Sequence, residues 1–176
     1  QVQAVRRWGQ IDTDLRAPRG FCMRQVTGVL IAVVMDRRGE VRQFEISEGP
    51  NGEAVTREVR RYRLDRAGAG CAIDPISRSI YFSHARGGFW RSTVDVSADA
   101  TPVRLADASI RRLPRSLGAV YLTSNRNRYL ASLDEDRTAF SIWRLEADTV
   151  VWAGGFEVRE QAEGPVVRRL AGPAAY

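Results

Sequence analysis

One layout recurs three times along the chain, and it constrains the fold more than any single motif. The recurrences begin at Gly20, Gly70 and Gly118, which lie 50 and 48 residues apart. Each reads as a glycine, a short strand, a turn, an apolar strand, a polar turn and an amphipathic third strand. A fourth candidate strand follows each one: AVTREVRRYRL, TPVRLAD and TVVWAGGFEV. A four-stranded unit that repeats about every 40 to 50 residues indicates a β-propeller.

The predicted fold is all-β and of the β-propeller type, with about three four-stranded blades in one partial domain, residues 1–176. A chain of 176 residues that is 44% hydrophobic can bury one such core. Three blades do not close a ring, because propellers have at least about four. Both outer flanks are therefore expected to present apolar faces, covered by the remainder of a longer chain, a second copy or an unrelated partner.

The charge of the chain is compatible with a polyanionic partner. The net charge is +6, and all 27 basic residues are arginine. An arginine-rich codon usage explains this, and so does a polyanionic partner, because guanidinium groups bind phosphate oxygens in pairs. No helix-turn-helix, zinc finger or aromatic RNA-binding signature accompanies the arginines, so nucleic acid is not an expected partner.

Two further features concern the cellular setting. The longest apolar run, GVLIAVVM at residues 28–35, is too short to span a membrane and indicates a buried strand. The chain begins with Gln1 and without a basic, apolar leader. We expect either a cleaved signal peptide or a start inside a longer protein.

Three blocks carry a family resemblance. They are RGFCMRQVTGVLIAVVMDRRGEVRQFEISEGPNGEAVTREVRRYRL, AGCAIDPISRSIYFSHARGGFW and RYLASLDEDRTAFSIW. In this order and spacing, from about residue 19 to 164, the chain resembles the β-propeller phytases. The resemblance implies a secreted or periplasmic protein. It also implies a calcium-dependent enzyme that removes phosphate from myo-inositol hexakisphosphate, with calcium ions bridging the phosphates and activating a water.

The resemblance also implies where a site would lie. The family's calcium-binding carboxylates correspond here to Ala69, to His84 with Ala85, and to Leu117, so no metal ligand is predicted and calcium is not expected to bind. Two phosphate-contacting positions hold Arg19 and Arg37, which are the predicted substrate-binding residues. Both also have a plainer interpretation as exposed arginines, with Arg37 in a solvated turn beside Arg38.

Several other residues have a chemical and a structural interpretation. His84 is expected to be a solvated turn residue, and the DEDR stretch at residues 134–137 a solvated tip, rather than cation ligands. Cys22 and Cys71 are expected to be small buried residues of inner strands, with a disulfide as the less favoured alternative. Four tryptophans and a phenylalanine complete the set. Phe44, Trp90 and Trp143 are expected to pack between blades, and Trp8 and Trp152 to lie at an exposed seam.

The leading functional hypothesis is a phytase-like domain without calcium ligands, a non-catalytic or weakly active accessory unit of a 3-phytase that binds inositol phosphates. One alternative is a structural half-propeller that mediates self-association or contact with a partner. A second alternative is a calcium-dependent phytase that is active only when the ring is completed.

Overall fold

The computed structural model describes residues 7–65, 68–84, 88–107, 116–122, 127–133, 139–147, 149–161 and 164–170. In this part of the chain the protein is all-β, with its strands in three sheets, as predicted for a partial propeller. Among the same residues, no helix has the length and apolar character needed to cross a membrane.

The first sheet has four antiparallel strands in sequence order. They are β1 Pro18–Val26, β2 Val29–Asp36, β3 Glu40–Glu48 and β4 Ala54–Arg63. Strand β2 is buried on both faces, which explains why its sequence is a continuous apolar run instead of an alternating one.

The second and third sheets follow along the chain. The second has the predicted four strands, β5 Gly68–Asp74, β6 Ser79–His84, β7 Phe89–Thr93 and β8 Val103–Arg104. The third has six: β9 Ala106–Asp107, β10 Ser116–Leu122, β11 Arg128–Leu133, β12 Ala139–Leu145, β13 Thr149–Gln161 and β14 Gly164–Leu170. The candidate strand TPVRLAD is thus divided, because β8 pairs with β7 whereas β9 pairs in parallel with β13.

The three repeat glycines occupy equivalent places. Gly20, Gly70 and Gly118 are each the third residue of the first long strand of their sheet, and each lies at a register shift of that strand. At position 20 the reason is close approach, since a Cβ there would lie 2.7 Å from Cγ of the buried Met35. This part of the sequence prediction is confirmed.

Two hydrophobic cores hold the sheets together. The first lies between the first and second sheets and includes Val33, Met35, Ile80 and Phe82. The second lies between the second and third sheets and includes Phe89, Leu130, Trp143 and Val150. The rings of Phe89 and Trp143 meet edge to face at 5.2 Å, which confirms the packing role predicted for Trp143.

A disulfide joins Cys22 of β1 to Cys71 of β5, with their Cα atoms 5.6 Å apart. The expectation that these residues are simply small buried side chains is therefore wrong. The two cysteines lie in neighbouring first strands of different sheets, and sheet packing brings them together although 49 residues separate them in sequence. The bond is a covalent link between the first two sheets.

The N-terminal segment, residues 7–17, covers much of the outer face of the first sheet. Ile11 and Leu15 pack against a buried cluster that includes Val34, Phe44 and Ile46. This face is turned away from the second sheet, so the expectation of an open apolar flank is wrong for its centre. Strand β1 keeps exposed apolar side chains on the same face, with Phe21 57% and Met23 48% exposed.

The remaining tryptophans differ in their surroundings. Trp8 is exposed, and its indole N–H donates to the Gly52 carbonyl oxygen at 2.9 Å. Trp90 packs against the first core and Trp152 against the second. The prediction of an exposed seam is therefore wrong for Trp152, and Phe44 packs under the N-terminal segment instead of between two sheets.

Candidate functional site

In every sheet, the start of the first long strand lies beside the end of the strand that follows it. The pairs are Pro18 with Asp36, Gly68 with His84, and Ser116 with Leu133. We call this the upper end of each sheet. The described positions that the sequence analysis singled out for phosphate or calcium are Arg19, Arg37, Ala69, His84 and Leu117, and they lie at an upper end or in the turn that adjoins it.

Contacts at the opposite, lower end align the three sheets. Arg78, in the turn between β5 and β6, donates a hydrogen bond to Thr27 in the turn between β1 and β2. Arg128, at the start of β11, donates to Asp74 Oδ2 at the end of β5, at 2.7 Å. Because the lower ends are adjacent, the upper ends of neighbouring sheets face the same side of the molecule.

The lower-end arginines are paired with carboxylates. Burial raises the pKa of Asp74, but hydrogen bonds from Ser77, Arg128 and the Ile76 N–H outweigh it, and the pKa lies below its usual value. The pKa of Asp95 is likewise lowered, mainly by the hydrogen bond from Arg78. These pairs have a structural explanation, since they tie turns and neighbouring sheets together.

Arg19 and Arg37 lie at the upper end of the first sheet. Arg19 is the residue at the register shift of β1, and Arg37 is in the turn between β2 and β3. Both are exposed, and neither forms an ion pair or a side-chain hydrogen bond with any described residue. Their backbones are close because Pro18 pairs with Asp36.

Asp36 shapes the turn that carries Arg37. Its Oδ1 accepts hydrogen bonds from the N–H groups of Arg38 at 2.7 Å and Glu40 at 2.9 Å. Gly39 completes the turn with a φ of 84°, a conformation that favours glycine. Since this carboxylate is engaged by the backbone, Arg37 and Arg38 are presented outward without an acidic partner.

The calcium positions implied by the resemblance lie on neighbouring strands, but the residues that they hold do not fit calcium. Ala69 lies at the register shift of β5, His84 ends β6, and Leu117 is the second residue of β10. Strands β5 and β10 are neighbours in the fold. Calcium requires six to eight oxygen ligands, many of them carboxylate, and alanine and leucine side chains contain no oxygen.

The other acidic candidates do not supply a described site. The acidic residues Asp134, Glu135 and Asp136 lie outside the described residues. So does Ala85, which accompanies His84 at one of the implied calcium positions. In the part of the chain that the structure describes, no group of three histidine, cysteine, aspartate or glutamate side chains is placed to hold a metal ion.

Sequence reasoning missed three arginines at the same end. Arg16, Arg38 and Arg63 line a cavity of about 160 Å³ between the N-terminal segment and the upper end of the first sheet. Arg63 also borders a second cavity, of about 190 Å³, whose walls include Phe82 and Trp90. Each of the three arginines flanks the upper end of a strand, and this position was the only sequence signal for them. The signal does not group them, because they are distant from one another in sequence.

Comparison with known proteins gives three findings. A family model described as Phytase matches residues 3–172. The 3-phytase of Bacillus subtilis (strain 168) is 20% identical over 154 residues, which cover 85% of this chain and 40% of that protein. The chain thus spans less than half of the length of this curated relative. A structure titled Kuenenia stuttgartiensis hydrazine synthase is 12% identical with a TM-score of 0.34, covering 97% of this chain and 69% of the other, a similarity that carries no argument.

Proposed function

The chain belongs to the phytase family, and from this premise we propose that it is a phytase-like unit that binds inositol phosphates without hydrolysing them alone. In this proposal it serves as an accessory to a competent 3-phytase domain. One observation carries the proposal. At the upper end, exposed arginines without carboxylate partners remain, whereas the positions for metal-binding carboxylates hold alanine, histidine and leucine.

The chemistry separates binding from hydrolysis. Bound metal ions would supply charge neutralisation and an activated water to a phosphate ester. Guanidinium groups bind phosphate through charge-assisted hydrogen bonds, but they stay protonated and do not act as a general base. The exposed arginines therefore support recognition of phosphate, whereas Ala69, His84 and Leu117 place no carboxylate at the implied calcium positions.

The disulfide supports a place for this function outside the reducing cytosol. Structural disulfides persist in oxidising settings such as the periplasm or the extracellular medium. The Cys22–Cys71 bond therefore favours the secreted or periplasmic setting that the resemblance implied.

The proposal is tested with purified protein and myo-inositol hexakisphosphate. We expect phosphate release at no more than the background rate in millimolar calcium, together with measurable binding by calorimetry. Arg37→Ala should weaken binding by about 1 to 3 kcal/mol, the scale of a hydrogen bond to a charged group. Arg24→Ala is the matched control, because Arg24 is exposed in β1 and lies away from the upper end.

Two results would contradict the proposal. If Arg37→Ala binds as tightly as Arg24→Ala, Arg37 is only a solvated turn residue. Calcium-dependent phosphate release by the purified chain would instead favour the enzyme alternative, in which the carboxylates of residues 134–136 or of a completed ring rebuild the metal site.

A second candidate function is assembly, and the third sheet favours it. Leu130 and Trp143 face the second core, so by alternation Ala131, Phe140 and Ile142 lie on the opposite face, where they are only half-buried. On that face the rings of Phe140 and Phe156 stack at 4.9 Å. A half-propeller with this flank would self-associate or bind the remainder of a longer chain. Sedimentation as a monomer at micromolar concentration would contradict the self-association.

A further inference from the structure

The turn between β3 and β4 contains the one asparagine of the chain that precedes a glycine. There are three asparagines: Asn51 is followed by Gly52, whereas Asn125 and Asn127 are each followed by an arginine. An asparagine loses its side-chain amide when the next backbone nitrogen attacks the side-chain carbonyl carbon. Glycine has no Cβ to hinder this attack and leaves the backbone free to bend towards it. The sequence therefore makes Asn51 the most reactive of the three.

The structure of the turn leaves the reacting groups accessible. Asn51 and Gly52 are both exposed, and the Asn51 side chain forms no hydrogen bond with any described residue. The Gly52 N–H donates to the Gly49 carbonyl oxygen at 3.0 Å, and Gly52 has a φ of 79°. This bond closes a β-turn with Pro50 in its second position. The bond must open before the Gly52 nitrogen can attack, and exposed turns of this kind open at low cost.

The same turn anchors the N-terminal segment. The Trp8 indole N–H donates to the Gly52 carbonyl oxygen at 2.9 Å, and the Ala54 N–H donates to the Trp8 carbonyl oxygen at 3.1 Å. Gly9 lies so close to the sheet that a Cβ there would be 2.4 Å from the Ala54 Cβ. Gly52 and Ala54 therefore hold the start of the segment that covers the outer face of the first sheet.

From these observations we propose that Asn51 is a site of spontaneous deamidation, and that its product releases the N-terminal segment from the first sheet. The Gly52 nitrogen loses its proton and forms a bond to Asn51 Cγ. The bond between Cγ and Nδ2 breaks, and the nitrogen leaves as ammonia, which takes up the proton. Water then opens the cyclic imide at one of its two carbonyl carbons and leaves aspartate or isoaspartate at position 51. Water is the only co-reactant.

Both products disturb the anchor. Isoaspartate places the side-chain methylene in the backbone, which lengthens the chain just before Gly52 and displaces the carbonyl oxygen that accepts the Trp8 bond. Each product also adds a negative charge beside Glu53, whose Oε2 accepts the Asn51 backbone N–H at 3.0 Å. Like charges this close repel each other. Once the anchor is lost, Ile11 and Leu15 are held less firmly over the buried cluster of the first sheet.

The first part of the test follows the chemistry in the full chain. The purified protein is aged in mildly alkaline buffer, which favours loss of the Gly52 amide proton, and is then mapped by mass spectrometry. We expect residue 51 to show the mass gain of an amide-to-acid exchange, with isoaspartate present, before Asn125 or Asn127 changes. Asn51→Gln is the matched control. It keeps the amide but has one more methylene, which makes ring closure slow.

The second part follows the segment. The readouts are trypsin cleavage after the exposed Arg16 and hydrogen exchange of the Ala54 amide, which the docked segment protects. We expect both rates to be about fivefold higher in the aged parent, the change that loss of a hydrogen bond of about 1 kcal/mol produces. The aged Asn51→Gln variant should keep the rates of fresh protein. Gly9→Ala should raise both rates without ageing, because its Cβ meets Ala54, and it gives the values for a displaced segment.

Two results would overturn the proposal. If residue 51 keeps its amide until Asn125 or Asn127 has lost its own, the turn is not a preferred site of deamidation. If residue 51 is converted while cleavage after Arg16 and exchange at Ala54 match those of aged Asn51→Gln, the product does not release the segment. Neither measurement involves a phosphate ligand, so the outcome is independent of the proposed function.

Discussion

Breaking the disulfide between the first two sheets is expected to cost the protein much of its stability. A cross-link restricts the unfolded chain, and its contribution rises with the length of the loop that it closes. For Cys22 and Cys71, 49 residues apart, the loop-closure relation gives about 4 kcal/mol near room temperature. Since a domain is stable by only about 5 to 15 kcal/mol, this is a large share.

The perturbation is made in two ways that control for each other. The double variant Cys22→Ala with Cys71→Ala removes the bond together with two sulfur atoms, one of which is fully buried at Cys71. The parent protein under reducing conditions loses the bond and keeps the atoms. Agreement between the two assigns the effect to the cross-link, whereas an excess loss in the double variant measures the packing of the sulfurs.

Urea unfolding followed by circular dichroism is the assay. We expect the free energy of unfolding to fall by about 4 kcal/mol and the dependence on urea to steepen, because the unfolded chain exposes more surface. The melting temperature should fall by roughly 8 to 16 °C for a chain of this size. A reduced parent whose free energy and urea dependence both match those of the oxidised protein would refute the reasoning.

Other contacts give further predictions. Arg128→Ala should lower the free energy of unfolding by about 3 kcal/mol, because it leaves the buried Asp74 carboxylate short of a partner. Calorimetry at neutral pH measures this loss, and a loss below about 1 kcal/mol would contradict the prediction. Because the pKa of Asp74 is lowered in the folded protein, its stabilisation is present above the unfolded pKa of about 3.9. It should be lost as the pH falls below that value, and Asp74→Asn should abolish this part of the acid dependence in urea titrations from about pH 5 to 2. Trp8→Ala removes the bond to Gly52 and should cost about 1 kcal/mol while speeding hydrogen exchange in residues 10–16; unchanged exchange would show that the segment docks without it.

The sequence was most informative about strands whose environment recurs. Gly20, Gly70 and Gly118 each lie at a register shift of the first long strand of their sheet, and the recurring layout predicted this equivalence. The short pairing of β9 with β13 was not predictable, since a two-residue strand has too few residues to show a period. Strand β14 was missed as well, because the sequence pattern of the third unit ends with its fourth strand.

The same limit applies to the site. Arg37 was indicated only by the family resemblance, and Asp36 fixes the turn that carries it through local backbone bonds. Arg16 and Arg63 could not be joined to it, because only folding brings a segment before β1 and the end of β4 to one cavity. The Cys22–Cys71 bond was not the favoured expectation for the same reason, since it depends on how two sheets pack.

The covered flank of the first sheet limits which faces two copies of the chain could use to associate. A copy that offered its third sheet to the first sheet of another copy would have to displace Ile11 and Leu15 from the cluster around Phe44. Pairing of the third sheet of one copy with the first sheet of another is therefore disfavoured. Two copies can instead meet through their third sheets about a two-fold axis, with the same surface used on both sides. If the proposed self-association occurs in this way, the contact would use the half-buried face of each copy and would close at a dimer.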